Sequence, residues 1–285
     1  MTIDAKNRPT PLPPSGGEAF PAGPGTELPA EDSSDTPVPP PTDPVPTDPP
    51  VTTDVPIYLI GTKGRDVLKG GPLNDTLAGG RGNDNLDGSD GNDILNGEVG
   101  NDNLFGGLGN DHLSGAQGND IANGGDGDDN LLGEDGRDKL NGDNGNDSVD
   151  GGIGNDKLFG NAGMDVLIGG IGNDTLDGGD DADILNGGAG SDKLTGGAGD
   201  DTFEFNAPGF GRDTIRDFAF GDRVNLFDVN GDGVFSAKDY KLQDRGENAV
   251  IIAGSASITL VGVNADDLVV VASAIGSGSF ELEAL

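Results

Sequence analysis

The sequence of 285 residues contains no cysteine, no tryptophan and a single histidine, and aromatic residues make up 5% of it. The absence of cysteine excludes disulfide bridges, thiolate metal sites and a thiol nucleophile. One histidine cannot form a zinc-protease site, which needs two histidines on one helix face. No stretch approaches the roughly 18 to 20 consecutive apolar residues of a membrane-crossing helix, so the sequence predicts no transmembrane segment.

Basic residues are also scarce, with 16 against 51 acidic ones and a formal net charge of −35 at pH 7. This surplus of negative charge repels nucleic acids and anionic lipid headgroups, and we therefore predict no nucleic-acid partner. The partners that it attracts are cations. Residues 1–6 contain no apolar run that could serve as the core of an amino-terminal secretion signal, so any export is expected to use another route.

The composition divides the chain into four segments. Residues 1–56 hold 16 of the 18 prolines without helical or strand periodicity, which predicts a disordered Pro-rich spacer, with a proline-directed docking ligand as the alternative. Residues 57–204 contain a repeat. Residues 205–275 lose the repeat and gain strand-like runs, which predicts a small β-rich cap that includes a hairpin around Gly254. Residues 276–285 form a carboxyl-terminal tail.

The repeat is nine residues long. Glycine recurs at every ninth position from Gly61 to Gly196, which gives 16 consecutive nonapeptides. Position one is glycine and position six is aspartate in all 16 copies, position four is glycine in 14, and position eight is always apolar. A period kept over so many copies predicts a solenoid. The alternative, a disordered acidic linker, has no reason to keep an apolar residue at position eight of every unit.

This pattern, GGxGxDxUx with U a large apolar residue, is clearest in residues 106–114, and it resembles the RTX family of secreted proteins with hemolysin-type calcium-binding repeats. The resemblance implies an all-β fold, a right-handed parallel β-roll solenoid of 16 nonapeptides with two nonapeptides per coil. The chemistry of the unit agrees with this. Its glycines permit unusual backbone angles, and its aspartate supplies the oxygen ligand that calcium prefers. Its last three residues suit a very short strand with the side chain at position eight pointing inward.

In the family, calcium is held between neighbouring coils along each edge of the roll. Aspartates two repeat units apart would then share ions, and eight aspartates per edge leave seven gaps, so that the upper limit is 14 calcium ions. Sites near Leu73, Ala122 and Asp181, which interrupt the pattern, are expected to be the weakest. The predicted ligands are Asp66, Asp75, Asp84, Asp93, Asp102, Asp111, Asp120, Asp129, Asp138, Asp147, Asp156, Asp165, Asp174, Asp183, Asp192 and Asp201.

The metal-free repeats are expected to be unfolded. Ordering a glycine-rich chain costs much conformational entropy, and stacked carboxylates repel one another. Calcium binding and folding would then be one event.

A second calcium motif lies at residues 228–239, which fit the EF-hand loop pattern. Aspartate stands at the twelfth position, where glutamate is usual, and the sequence shows no convincing entering helix, so an acidic Asx-type turn is the alternative. One further calcium ion is predicted here. Its ligands would be Asp228, Asn230, Asp232, the Val234 carbonyl and Asp239.

Two segments, residues 203–205 and 211–218, look like the region that follows the repeats in RTX proteins exported by type I secretion machinery. The resemblance implies an uncleaved carboxyl-terminal export signal, for which residues 276–285 are the candidate. It also implies a secreted location, extracellular or associated with the cell surface. The implied partners are calcium ions, the type I secretion machinery and an extracellular partner that the sequence does not identify.

No HExxH or GxSxG motif is present, and we predict a non-enzymatic matrix, surface or interaction component. The alternative is a membrane-active or host-signalling RTX protein, similar to the secreted nodulation protein of this family that forms cation channels. A third interpretation is ice or polysaccharide binding, although an ice-binding face needs a regular threonine ladder, which these repeats lack.

Overall fold

The structure is a computed structural model that describes residues 55–205, 210–226, 241–253, 256–263, 268–271 and 280–284. These residues form strands and contain no helix. The strands are β1 (Tyr58–Ile60), β2 (Val67–Lys69), β3 (Thr76–Arg81), β4 (Asn85–Asp90), β5 (Ile94–Val99), β6 (Asn103–Leu108), β7 (His112–Gln117), β8 (Ile121–Asp126), β9 (Asn130–Gly136), β10 (Lys139–Asn144), β11 (Ser148–Asp150), β12 (Ile153–Gly154), β13 (Lys157–Ala162), β14 (Val166–Ile168), β15 (Ile171–Gly172), β16 (Thr175–Asp180), β17 (Ile184–Asn186), β18 (Ala189–Gly190), β19 (Lys193–Ala198), β20 (Thr202–Phe205), β21 (Arg212–Ile215), β22 (Arg223–Leu226), β23 (Lys241–Asp244), β24 (Asn248–Ala253), β25 (Ala256–Val261), β26 (Leu268–Val271) and β27 (Phe280–Ala284).

Successive nonapeptides alternate between two sheets. Sheet 1 has the strand order β1-β3-β5-β7-β9-β11-β14-β17-β20-β22-β27-β26, with β12, β15 and β18 beside it, and sheet 2 has the order β2-β4-β6-β8-β10-β13-β16-β19-β21-β25-β24-β23. Neighbouring strands of the repeats are parallel, and their register is shifted by two repeat units, so that Leu77 pairs with Leu95. Two nonapeptides therefore form one coil. The prediction of an all-β parallel roll is confirmed, with about nine coils.

Most strands of the repeats are longer than predicted. Strand β4, for example, has six residues and runs from position seven of one unit to position three of the next. The prediction placed a strand on the last three residues of each unit only. It was too short because parallel pairing continues past the glycine at position one, as in the pairs Ser89–Gly107 and Asp90–Leu108.

The core consists of the side chains at position eight. From Leu77 to Phe203 every one of them is fully buried, including Ala122 and Val149, whereas Leu68 in the first repeat is partly buried. Register stacks these side chains in one column on each sheet, because strand partners two units apart occupy the same position of their units. Burial of one apolar side chain per unit is what holds the two sheets together.

Parallel stacking continues beyond the last predicted repeat. Strand β21 pairs with β19 and strand β22 pairs with β20, both in parallel but with a larger register shift, as in the pair Phe203–Val224. Three additional residues between Asp201 and Asp213 account for the larger shift. The nonapeptide period would place the aspartate that follows Asp201 at position 210, where Phe210 stands, and it lies instead at Asp213. The solenoid therefore extends into the segment that the sequence assigned to the cap.

Antiparallel strands follow at the carboxyl-terminal end. Strand β25 lies parallel to β21 and pairs with β24, which in turn pairs with β23, and both of these pairings are antiparallel. The predicted hairpin around Gly254 is thereby confirmed, because β24 and β25 are its two strands. Strand β27, from the predicted export tail, lies between β22 and β26 in sheet 1.

Two predicted regions lie wholly or mostly outside the described residues. They are the Pro-rich segment, of which only residues 55 and 56 are described, and the EF-hand-like loop at residues 228–239, with its predicted ligands Asp228, Asn230, Asp232, Val234 and Asp239. Both remain predictions. Within the described part of the chain, no helix is long and apolar enough to cross a membrane.

Candidate metal centre

The aspartates at position six form a hydrogen-bonded ladder along each edge of the roll. In each ladder the backbone N–H of one aspartate donates to Oδ1 of the aspartate one coil further on, as Asp102 does to Asp120 at 2.7 Å. The Asp66 ladder consists of Asp66, Asp84, Asp102, Asp120, Asp138, Asp156, Asp174, Asp192 and Asp213. The Asp75 ladder consists of Asp75, Asp93, Asp111, Asp129, Asp147, Asp165, Asp183, Asp201 and Asp222.

All 16 aspartates predicted from the repeat lie in these ladders, and two further members, Asp213 and Asp222, were missed. The three extra residues before Asp213 break the period, so a search for strict nonapeptides stops at residue 204. A signal was nevertheless present. Asp213 and Asp222 keep the nonapeptide spacing between themselves, and each precedes by two residues an apolar side chain, Ile215 or Val224, that is fully buried.

The second carboxylate oxygen, Oδ2, has no donor in most of the ladder. It is buried and without a hydrogen-bond partner in Asp213 and in every ladder aspartate from Asp84 to Asp201, which makes 15 such atoms. At the ends of the ladders it is satisfied, since Asp66 Oδ2 accepts the Thr62 N–H at 2.6 Å and Asp222 Oδ2 accepts the Ala219 N–H at 2.7 Å. A buried carboxylate oxygen without a donor is unfavourable unless a cation or a proton joins it.

Backbone carbonyl oxygens lie close to these unpaired atoms. A Cβ atom added to Gly79 would lie 2.7 Å from Asp84 Oδ2 and 2.9 Å from the carbonyl oxygen of Gly97. At position four, a Cβ atom on Gly100 would overlap the carbonyl oxygen of Gly82, and the φ of Gly100 is 151°. The glycines thus leave room for carboxylate and carbonyl oxygens of successive coils to approach one another.

The donor set contains oxygen atoms alone, which is the type of ligand that calcium prefers. Among the described residues, no group of three or more acidic or histidine side chains comes close enough to hold a metal ion. An ion between coils would therefore have to combine ladder carboxylates with backbone carbonyls. The residues present fit a hard cation of this kind.

The pKa values of the ladder aspartates also show that an uncompensated negative charge on them is unfavourable. Burial raises the pKa of Asp120, Asp138 and Asp165 from the usual 3.8 to about 7, although the backbone N–H that each accepts lowers it. Burial raises the pKa of Asp213 further, to about 8, and the Asp192 carboxylate also contributes to this increase. The metal-free ladders therefore bind protons more tightly than free aspartate does.

An outer ladder runs beside the aspartates at position five. Asn101 Oδ1 accepts the backbone N–H of Asn119 at 2.8 Å, and Asn155 Oδ1 accepts that of Asn173 at 2.7 Å. These side-chain amides fix the turns that carry the aspartates. Seven non-glycine residues in or beside these turns have φ between 68° and 82°, the left-handed region. They are Ser89, Glu98, Ala116, Glu134, Asp143, Asn161 and Asp181.

Comparison with known proteins agrees with this geometry. Seven segments that together span residues 58–207, or 150 of the 285 residues, match the family model of the RTX calcium-binding nonapeptide repeat. The chain belongs to this family of calcium-binding repeat proteins.

Among solved structures, the extracellular lipase LipA from Serratia marcescens is similar, with 23% sequence identity and a TM-score of 0.26. The match covers 75% of this chain and 39% of the lipase, so the chain spans well under half of the lipase's length. No curated protein matches the sequence.

Proposed function

We propose that this chain is a secreted calcium-binding protein whose repeats fold when calcium occupies the gaps between successive coils. The observation that supports this most directly is the set of 15 buried Oδ2 atoms without a donor. The ligands would be the Oδ2 atoms of the two aspartate ladders together with nearby glycine carbonyls. Nine aspartates per ladder leave eight gaps, which raises the upper limit from 14 to 16 ions in the roll, beside one ion in the loop at residues 228–239.

Calcium binding would be coupled to folding. Neighbouring strands lie about 4.8 Å apart, so ladder carboxylates on adjacent coils repel one another when they are ionised and partly desolvated. A divalent cation between them replaces this repulsion with attraction and links the two coils. Because the unfolded chain has no such sites, the free energy of binding becomes free energy of folding.

The same coupling suits export. Where calcium is scarce, as inside a cell, the repeats would stay unfolded and could pass through the channel of a type I secretion system. Outside, calcium would fold the roll and prevent its return. Because the repeat family is typically non-catalytic, we propose that the folded roll serves as a matrix, surface or interaction component.

The test is a calcium titration of the purified chain, followed by far-ultraviolet circular dichroism at neutral pH with magnesium as the control. We expect a cooperative change from coil to β structure that calcium causes and magnesium does not. Equilibrium dialysis of the same samples would count the bound ions. A β-structure spectrum that persists in excess chelator would contradict the proposal.

A further inference from the structure

Sheet 2 carries a line of basic side chains on its solvent face, although the protein as a whole is acidic. Lys139 on β10 pairs with Lys157 on β13, Lys157 pairs with Thr175 on β16, and Thr175 pairs with Lys193 on β19. All four residues occupy position seven, so their side chains leave the same face at intervals of about 4.8 Å. We call the three lysines, together with Arg137 and Arg212 at position five of the same edge, the basic row.

The cations of the basic row are available to a partner. All five side chains are exposed, and none of them forms an ion pair with a described residue. Lys69, in the first coils, does form an ion pair, with Asp87. Lys139 Nζ instead lies 5.7 Å from the centre of the Phe159 ring, close enough for a cation–π contact.

A shallow groove crosses the basic row. It has a volume of about 280 Å³ and is lined by Arg137, Asp138, Lys139, Asn155 and Lys157. This volume lies below the usual range for sites that enclose a small molecule, and the groove is open to solvent. An extended chain that continues beyond the groove would suit it better than a compact ligand.

The side chains that border the row offer further contacts for a polar polymer. At position nine of neighbouring strands are Asn141, the half-buried ring of Phe159 and Thr195. An amide, a hydroxyl and an aromatic face are groups that bind sugar hydroxyls and pack against sugar rings. One acidic side chain, Asp177, also borders the row at this position, and burial raises its pKa.

We propose that the basic row binds a linear acidic polysaccharide, laid across the strands of sheet 2. The lysines of the row stand in single file across the strands, which matches a single polymer chain. A DNA duplex or an anionic bilayer would have to approach the many carboxylates elsewhere on the surface. Strand spacing is comparable to the length of one sugar residue, so a carboxylate on every second sugar recurs at the spacing of alternate strands, as from Lys157 to Lys193 across Thr175.

This inference rests on the proposed function, because the lysines come together only in the folded roll. The row also lies above the Asp66 ladder, whose members Asp138 and Asp156 are buried beneath it. Calcium bound to that ladder would remove the negative charge under the row and strengthen its attraction for a polyanion.

The probe is a hyaluronan oligosaccharide, a linear polymer with a carboxylate on every second sugar. Its binding to the full chain is measured by calorimetry in calcium and about 0.15 M salt, where long-range attraction is screened. The row variant combines Lys139→Gln, Lys157→Gln and Lys193→Gln. The matched control combines Lys63→Gln, Lys69→Gln and Lys241→Gln, which removes the same charge elsewhere.

We expect the row variant to bind hyaluronan at least about tenfold more weakly than the control, because charge-assisted hydrogen bonds are lost. Replacing the same three lysines by arginine should preserve binding. The proposal is overturned if both glutamine variants bind equally, or if single-stranded DNA or phosphatidylserine vesicles bind the row more tightly than hyaluronan. Circular dichroism in calcium is recorded for every variant, so a failure to fold counts against the proposed function and is distinguished from a failure to bind.

Discussion

The two edges of the roll carry the same aspartate ladder but differ in the residues that face solvent. Beside the Asp66 ladder, positions five and seven include Arg137, Lys139 and Lys157, whereas beside the Asp75 ladder they include Met164, which is 60% exposed, and Ile184, which is 38% exposed. The inner positions repeat because each must satisfy the same backbone contacts one coil away. Position seven has no such constraint, and position five has it only where an asparagine or aspartate accepts a backbone N–H from the neighbouring coil, as Asn101 does. The repeat thus separates a constant scaffold from a variable surface.

The largest expected effect concerns pH, because it acts on both ladders at once. In the metal-free roll the pKa of Asp129 and Asp174 is about 7, mainly through burial, against 3.8 for free aspartate. Folding without metal therefore takes up protons, and the stability of the metal-free roll falls as pH rises from about 4 to about 7. We expect chelated protein to gain β structure on acidification, as measured by circular dichroism. A random-coil spectrum at every pH in this range would contradict the raised pKa values.

Single ladder substitutions come next, and they test whether the two edges are equivalent. Asp120→Asn in the Asp66 ladder and Asp129→Asn in the Asp75 ladder each remove one charge from a buried site. Each should destabilise the calcium-loaded roll by about 3–5 kcal/mol, the usual result of removing one partner of a buried charge pair. The measurement is urea unfolding in calcium. Asp126→Asn, an exposed aspartate, is the control, and a marked difference between the two ladder variants would show that the edges are not equivalent.

Core substitutions should have a smaller effect, of similar size in the two sheets. Leu131→Ala in sheet 1 and Leu140→Ala in sheet 2 remove fully buried side chains, and each should cost about 2–4 kcal/mol. Leu108→Ala, at a position that is 51% exposed, should change stability by no more than about 0.5 kcal/mol. Thermal unfolding in calcium measures all three variants. Equal losses at Leu108 and Leu140 would refute the assignment of the core to position eight.

The smallest effect concerns backbone strain at position two. Ala116 has a φ of 70°, and Ala116→Gly should stabilise the roll by up to about 1 kcal/mol because glycine has no Cβ to clash in this conformation. Ala162→Gly, at position three, is the control and should be destabilising by about 0.5–1 kcal/mol. Unfolding midpoints in calcium compare the two, and a stabilisation at both sites would argue against strain at Ala116.

Much of this architecture could be predicted from the repeat. Spacing and the family resemblance together predicted the coil of two nonapeptides, the buried residues at position eight such as Leu113 and Leu140, and all but two of the ladder aspartates. The repeat pattern missed Asp213 and Asp222, because three inserted residues change their spacing in the sequence but not the stacking of the coils in space. Strand lengths were underestimated for a related reason, since pairing across the position-one glycines depends on neighbouring coils.

By itself, then, the sequence determined the period, the inward position of one apolar side chain per unit and an oxygen-only donor set, because these follow from residue type and local spacing. Tertiary structure alone decided which carboxylate oxygens lack a hydrogen-bond donor and which basic side chains lie next to one another. The donor for each Oδ1 comes from the neighbouring coil, and Lys139 meets Lys157 only through the register of two strands. Contacts between coils join residues that lie two repeat units apart in the chain, and stacking is what brings those residues into hydrogen-bonding distance.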